Sequence, residues 1–366
     1  MRRFVNWKNI AAILSSIMIL SGCGFKDIDK RLFAVSIGVD AAKDSSKRYL
    51  VSLKFAIPSA SKEQPNEFIV ISQTADSMSE AIRAIKTKVD KEIDFSHNKA
   101  VIFSEEVVKR GGNAGIYYWL SRRRDIQQIA WPAISSSTAL EVLKIKPKFE
   151  QLPSNSLFLA LGRDGSETPY MISEFLFDFK KRLIEKGLDP MLPIIEPEKE
   201  ILEINTVGIF NKSQLKLKLA QEETKYLNFF LNRQEKSALW AKKGKTTYTI
   251  DTDKVKTKYK IITPKGKQPY IDVRISMAGK IEETSRKIEN SKLHAYEKTA
   301  EKHVEKEMKA MLEKIQQANL DPIGFGLRYR ARHFNKNDWE EWQKIYPSIQ
   351  FKVKAKVKIS DTGLIE

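Results

Sequence analysis

Two stretches in the second half of the chain constrain its fold more than any others. In "KVKTKYKI", Lys254, Lys256, Lys258 and Lys260 alternate with Val255, Thr257, Tyr259 and Ile261. In "FKVKAKVKI", Lys352, Lys354, Lys356 and Lys358 alternate with Phe351, Val353, Ala355, Val357 and Ile359. Successive strand side chains point to opposite faces, so each segment buries one row and presents its lysines on the other. If both belong to one sheet, eight ammonium groups share its outer face. Two readings stay open for that face: a solvated surface that also discourages edge pairing, or a docking surface for anionic lipid or an acidic partner.

The rest of the chain alternates strand and helix patterns. Ala34 to Val39 and Tyr49 to Ile57 read as paired strands, and Phe68 to Ser72 as a third. Ser77 and Glu80 have capping-box spacing before a helix whose Met78, Ala81, Ile82, Ile85 and Val89 share a face. Ala100 to Phe103 and Ile129 to Ile134 are extended. "SEEVVKRGG", "NAGIYYWLSRRRD" and "SSTALEVLKI" are helical, as is Met171 to Lys186, with Gly187 as its stop. The proline-rich "LDPMLPIIEPEKE" reads as a linker near residue 198. Beyond it come two strands joined by a turn at Asn211, a short helix, strands from Thr246 to Met277 and an amphipathic helix over 292–318. A short helix around Trp339 and Trp342 precedes the last strand. The fold class is α+β or mixed α/β, multi-domain, each domain a mixed or antiparallel sheet packed with helices. Expected divisions are 1–22, 23–198, a small middle domain over 199–245, and 246–366.

Cys23 is the single cysteine among 366 residues, so no internal disulfide holds the fold. It follows Arg2, Arg3, Lys8 and an uncharged run from Ile10 to Leu20, too short to span a bilayer comfortably. A basic start, a short apolar core and small residues describe a secretory signal. Leu20, Ser21, Gly22 and Cys23 resemble a bacterial lipobox, with cleavage between Gly22 and Cys23 and acylation of the Cys23 thiol. Two acyl chains hold a protein at a membrane far better than one. The competing reading is an ordinary signal in which Cys23 is incidental. Losing the first 22 residues removes three positive charges and lowers the net charge from +18 to +15. On an exported protein that excess points to lipid headgroups, wall polymers or an acidic partner, and not to nucleic acid.

Catalytic signatures are thin. Gly244-Lys245-Thr246 ends like a phosphate-binding loop, but Leu239 stands where that loop needs glycine. Gly324 and Gly326 lack the third glycine of a dinucleotide fingerprint, since Tyr329 occupies its place. The four histidines, His97, His294, His303 and His333, have no metal-ligand spacing. The expectation is no enzyme, no metal and no cofactor.

Several stretches, taken in order, resemble one family along nearly the whole chain. They are the lipobox at Cys23, "DIDKRLFAVSIGVD", "HNKAVIFSEEVVKRGG", "SRRRDIQQIAWPAI", "TVGIFNKSQL", "DPIGFG" and the Trp339-to-Trp342 pair. The chain is similar to the C subunits of the GerA-type nutrient germinant receptors of spore-forming bacteria, the Ger(x)C lipoproteins. It departs from their usual pattern after the cysteine, where Gly24-Phe25-Lys26 replaces Trp-Asp while Asp27-Ile28 keeps an acidic-Ile pair. The resemblance implies three mixed α/β domains and a lipid anchor on the outer face of the cytoplasmic (spore inner) membrane. It further implies assembly with membrane-embedded A and B subunits. Asp27, Gly38, Asp40, Arg124, Asp125, Asp321, Gly324 and Gly326 match family positions and read as structural: glycines for backbone freedom, acids as caps or turn formers. The rival reading is a solute-binding lipoprotein of a membrane transporter, which normally needs two similar lobes around a cleft.

Overall fold

The computed structural model describes Trp7 and residues 28–43, 46–57, 67–111, 114–148, 155–162, 168–233, 236–333 and 335–361. The lipobox Leu20, Ser21, Gly22 and Cys23, with Asp27, lies outside the described residues. Within them the chain is α+β, built on two mixed sheets.

The first sheet grows from β1 (Arg31–Ala41), whose residues from Ala34 to Asp40 are all buried. A run without alternation is what a strand covered on both faces requires. β2 (Tyr49–Ile57) and β3 (Glu67–Ala75) extend it antiparallel on one side. On the other side β5 (Ala100–Ser104), β6 (Trp131–Ser135) and β7 (Met191–Glu198) run parallel, followed by antiparallel β8 (Ile201–Phe210) and β9 (Leu215–Leu219). A short β4 (Glu92–Asp94) pairs with the start of β1. Helices α1 (Met78–Lys86), α2 (Glu105–Arg110), α3 (Ala114–Arg122) and α6 (Leu176–Ile184) pack over Ile37, Val39, Val101 and Phe103 on one face. On the opposite face α4 (Ala139–Lys144) and α5 (Asn155–Leu161) cover Ala100, Ile102 and Ala133.

The family-matching "SIGVD" of β1 works locally. Gly38 faces α4 so closely that a Cβ would lie 3.2 Å from both Ala139 Cβ and Leu143 Cδ2. Buried Asp40 then accepts the amides of Ala139 (2.6 Å) and Leu140 (2.9 Å), two of the unpaired donors at the start of α4. Burial nevertheless pushes the Asp40 carboxyl above its usual range.

The second sheet runs β10 (Ser237–Lys243), β11 (Thr246–Ile262), β12 (Tyr270–Thr284) and β13 (Gln350–Ile359), with only the β12–β13 pair parallel. Between those two strands the chain forms α8 (Leu293–Gln317), α9 (Phe325–Arg330) and α10 (Asp338–Ile345). The stripe Tyr296, Ala300, Val304, Met308, Met311, Leu312 and Ile315 of α8 enters the same core as Val255, Val273, Ile275 and Met277. α7 (Gln221–Leu231) joins the two sheets, because its Tyr226, Leu227, Phe229 and Phe230 share that core with Val207 and Ile209 of β8.

The divisions at 198 and 245 both fall in turns between paired strands. The stretch read as a linker is β7, an interior strand: the apolar Met191 to Ile195 is buried, and the division at 198 falls in the hairpin to β8. Its prolines are tolerated because β6 pairs with β7 only at Ile194 and Ile195, which spares the missing amides of Pro193 and Pro197. The division at 245 falls in the turn between paired β10 and β11. The helix expected from Met171 forms only from Leu176.

The outer edge of β13 carries an uncommon closure. Glu297, Glu301 and Glu305, one turn apart on α8, accept the backbone amides of Ile359 (2.9 Å), Val357 (3.3 Å) and Ala355 (3.0 Å). Each carboxylate replaces a missing strand. Substituting all three by alanine should therefore speed amide hydrogen exchange at Ala355, Val357 and Ile359, while the alternate amides of Lys354, Lys356 and Lys358, directed at β12, stay protected. Unchanged exchange at the first three would mean the carboxylates contribute nothing to the edge.

Candidate functional site

The two lysine-alternating strands do lie in one sheet, separated only by β12. Register sets them in rows: Lys260–Asp272–Lys352, Lys258–Arg274–Lys354, Lys256–Ser276–Lys356 and Lys254–Ala278–Lys358. Partners in register project to the same side, so all eight lysines share one face, and every one is exposed. With strands about 4.8 Å apart, the two columns stand about 10 Å from each other, and successive lysines follow at about 7 Å along each strand. Arg274 sits in the middle, its Nε 3.0 Å from the one acid of these rows, Asp272. The Lys352 ammonium lies 3.6 Å from the centre of the Tyr270 ring at one end. Exposed Trp240 of β10 projects from the same sheet. Reading two strands in isolation missed Arg274, although the alternation of Asp272, Arg274 and Ser276 with Ile271, Val273 and Ile275 signals it.

Behind this face lies the joint between the sheets, built from "DPIGFG". Asp321, fully buried, accepts amides from Gly324 (2.8 Å), Phe325 (3.0 Å) and Gly326 (2.7 Å), closing the turn into α9. Its own backbone exchanges bonds with Asp189 at the end of the α6–β7 loop: Asp189 N to Asp321 O at 2.8 Å, and Asp321 N to Asp189 Oδ2 at 2.7 Å. Gly187, at φ +78°, lies against Gly326; a Cβ on Gly326 would come within 2.9 Å of Gly187 Cα and 2.6 Å of Trp342 Nε1. Lys212, from the β8–β9 turn, donates to the carbonyls of Arg182 in the last turn of α6 and of Glu185 and Leu188 beyond it, and lies 3.3 Å from Asp189. Burial holds its ammonium below the ordinary lysine range, against the pull of Asp189. Asp321, Gly324 and Gly326 are thus a joint, while Asp189 carries no sequence signal of its own and Lys212 only its place in the family-matching "TVGIFNKSQL".

The remaining family positions divide. Asp125 pairs with Arg123 (2.8 Å), and Arg124 beside them is exposed. Arg123 and Asp125, but not Arg124, border a cleft of about 630 Å³ lined also by Arg31, Arg83, Asp94 and Trp119. Its charges are largely engaged with one another: Arg31 bonds Asp94 at 2.8 Å, and Arg123 lies over Phe95 and Trp119. Among the described residues no group of His, Cys, Asp and Glu has metal-binding geometry, and no helix is long and apolar enough to cross a membrane.

The frame is two mixed sheets with an exposed cationic face on the second, and nothing among the described residues points to catalysis. Known sequences specify the kind of protein. Residues 24–197 match the domain described as the spore germination protein N-terminal domain, and 205–363 match the spore germination B3/GerAC-like C-terminal domain. The chain belongs to this Ger(x)C family of spore germination proteins. It is 25% identical to spore germination protein KC of Bacillus subtilis, over 96% of this chain and 95% of that one. It is 24% identical to spore germination protein GerQC of Bacillus cereus, over 97% and 98%. The crystal structure of the GerBC protein shares the fold with a TM-score of 0.56 at 17% identity, covering 88% of this chain and 96% of that one.

The joint makes a pH prediction. Burial raises the Asp321 carboxyl to about 7 despite its three amide donors, against about 3.9 in an unfolded chain. Between those values the folded protein holds a proton that the unfolded chain releases. Its contribution to stability is therefore complete below about pH 4 and falls by about 1.4 kcal/mol per pH unit up to about 7. Asp321→Asn should flatten this segment of the profile. Urea midpoints at pH 5 and pH 8 check it: an equal change in wild type and variant would remove Asp321 as the cause.

Proposed function

We propose that this protein is a lipid-anchored C subunit of a spore nutrient germinant receptor, assembling with an A subunit and a polytopic B subunit on the outer face of the spore inner membrane. The observation that carries this reading is the match of both family domains, in order, across nearly the whole chain. The Leu20–Cys23 lipobox supports the anchor: a thiol behind small residues accepts a diacylglyceryl group and marks the cleavage point. The role is recognition and coupling. A rigid ectodomain in contact with membrane-embedded partners biases their conformational equilibrium by binding one state more tightly than another, without holding the nutrient itself. A solute-binding lipoprotein is less well supported, because its two similar lobes are replaced here by sheets of unlike size and topology.

Deletion of the gene in spores of the source organism tests the reading. A nutrient-triggered release of dipicolinic acid should be lost, release by dodecylamine should remain, and the wild-type gene should restore the response. Cys23→Ala introduced beside it should reduce the response and move the protein from the membrane to the soluble fraction. Loss of dodecylamine release as well would contradict a receptor role.

A further inference from the structure

We propose that the lysine face of the second sheet is an electrostatic docking surface for an anionic lipid bilayer. The inference deepens the anchored-subunit reading and rests on it for its setting: the lipid supplies the tether, and the face supplies the orientation. Three observations favour a bilayer over other anionic partners.

All eight lysines of the face are exposed. Its four rows hold nine cations and one carboxylate, and that carboxylate is already engaged by Arg274. None of three cavities lined by described residues, of about 630, 170 and 470 Å³, includes these lysines. The cations are also of the wrong kind for a protein interface. Interface centres are enriched in Tyr, Trp and Arg and depleted in Lys, whose long side chain loses entropy when fixed and whose ammonium is costly to dehydrate. A fluid array of headgroups needs neither fixed geometry nor dehydration, and each lysine near such a surface adds its attraction almost independently. Finally, Trp240 stands 53% exposed on the same sheet, paired with Thr249 beyond the last lysine row, in a row that also holds Glu283. An indole in that position suits the headgroup boundary, where its ring is buried and its N–H stays wet.

Two other surfaces of the second sheet are already occupied. α8 fills the inner face, and its glutamates close the β13 edge.

The test uses a chain beginning at Phe25, which lacks the tether yet keeps every described core residue, since these lie between Ala34 and Ile359. It is sedimented with vesicles of phosphatidylglycerol and phosphatidylcholine, or of phosphatidylcholine alone. Binding is expected only to the anionic vesicles and should vanish in 1 M salt, where screening shrinks to about 3 Å. Reversal of Lys354, Lys356 and Lys358 to glutamate should weaken binding at least about tenfold. The same reversal at Lys302, Lys306 and Lys309, exposed on α8, should leave most of it and thereby separate this face from bulk charge. Circular dichroism confirms that each variant is folded.

Equal binding to neutral vesicles, or equal loss in both triple variants, would overturn the proposal. So would no vesicle binding by wild type; a nutrient response nonetheless abolished by the Lys354 set would then assign the face to an acidic protein. None of these outcomes bears on the receptor reading, which the gene deletion decides separately.

Discussion

The two sheets meet where backbone touches backbone. Gly187 and Gly326 approach too closely for either to carry a side chain, and the Leu327 amide donates to the Gly187 carbonyl at 2.9 Å. Asp321 makes that approach possible by gathering the three amides of the α9 turn. Much of the second domain follows from it. The turn sets the start of α9, whose Tyr329 lies against Trp342 of α10, and Trp342 against Tyr346, each at 5.2 Å between ring centres. The Tyr346 hydroxyl returns to the Leu320 carbonyl at 2.6 Å, beside Asp321. The chain then enters β13, so the orientation of the lysine face relative to the first sheet is set through this joint.

Beside the joint a buried carboxylate meets two guanidinium groups. Glu174, with its side chain 1% exposed, accepts from Arg233 at 2.9 Å and lies 3.3 Å from Arg182. Arg182 spends its remaining capacity on the carbonyls of Asp189 and Pro322. Such a cluster contributes little net stability relative to an apolar replacement, but removing one member leaves an uncompensated charge, at a cost of about 3–5 kcal/mol. Its effect is registration: the start of α6, the end of α7 and the "DPIGFG" loop have one mutual arrangement that satisfies every group.

What the sequence disclosed followed from periodicity and short-range chemistry. The alternation at Lys254–Ile261 and Phe351–Ile359 announced strands with one charged row each, the α8 stripe announced its helix, and Ser77 announced the cap of α1, where the Glu80 amide reaches its hydroxyl at 3.2 Å. Non-local pairing was not legible. Nothing in 191–198 says that a proline-bearing segment is an interior strand, because that depends on β6 meeting it at only two positions. Likewise, glutamates spaced by four on α8 look like a solvated face intermixed with lysines. Their role depends on an edge strand 50 to 62 residues downstream. Lys212 is one exposed-looking lysine among many until its turn folds beneath α6.

The second sheet has four ways to meet another molecule: two faces and two edges. One face is filled by α8. The β13 edge has the amides of Ala355, Val357 and Ile359 accepted by Glu305, Glu301 and Glu297, so a further strand would first have to displace three carboxylates. The β10 edge is short, seven residues, and ends in Lys242 and Lys243, a pattern that discourages pairing. The outer face is left, and its character is set by the same alternation that folds the strands. A row of apolar residues large enough to pack α8 obliges the opposite row to face solvent, and in this chain that row is lysine on both flanking strands. The folding pattern and the electrostatic surface are one feature seen from two sides, and the charge on the outer row is the part that folding alone leaves free to vary.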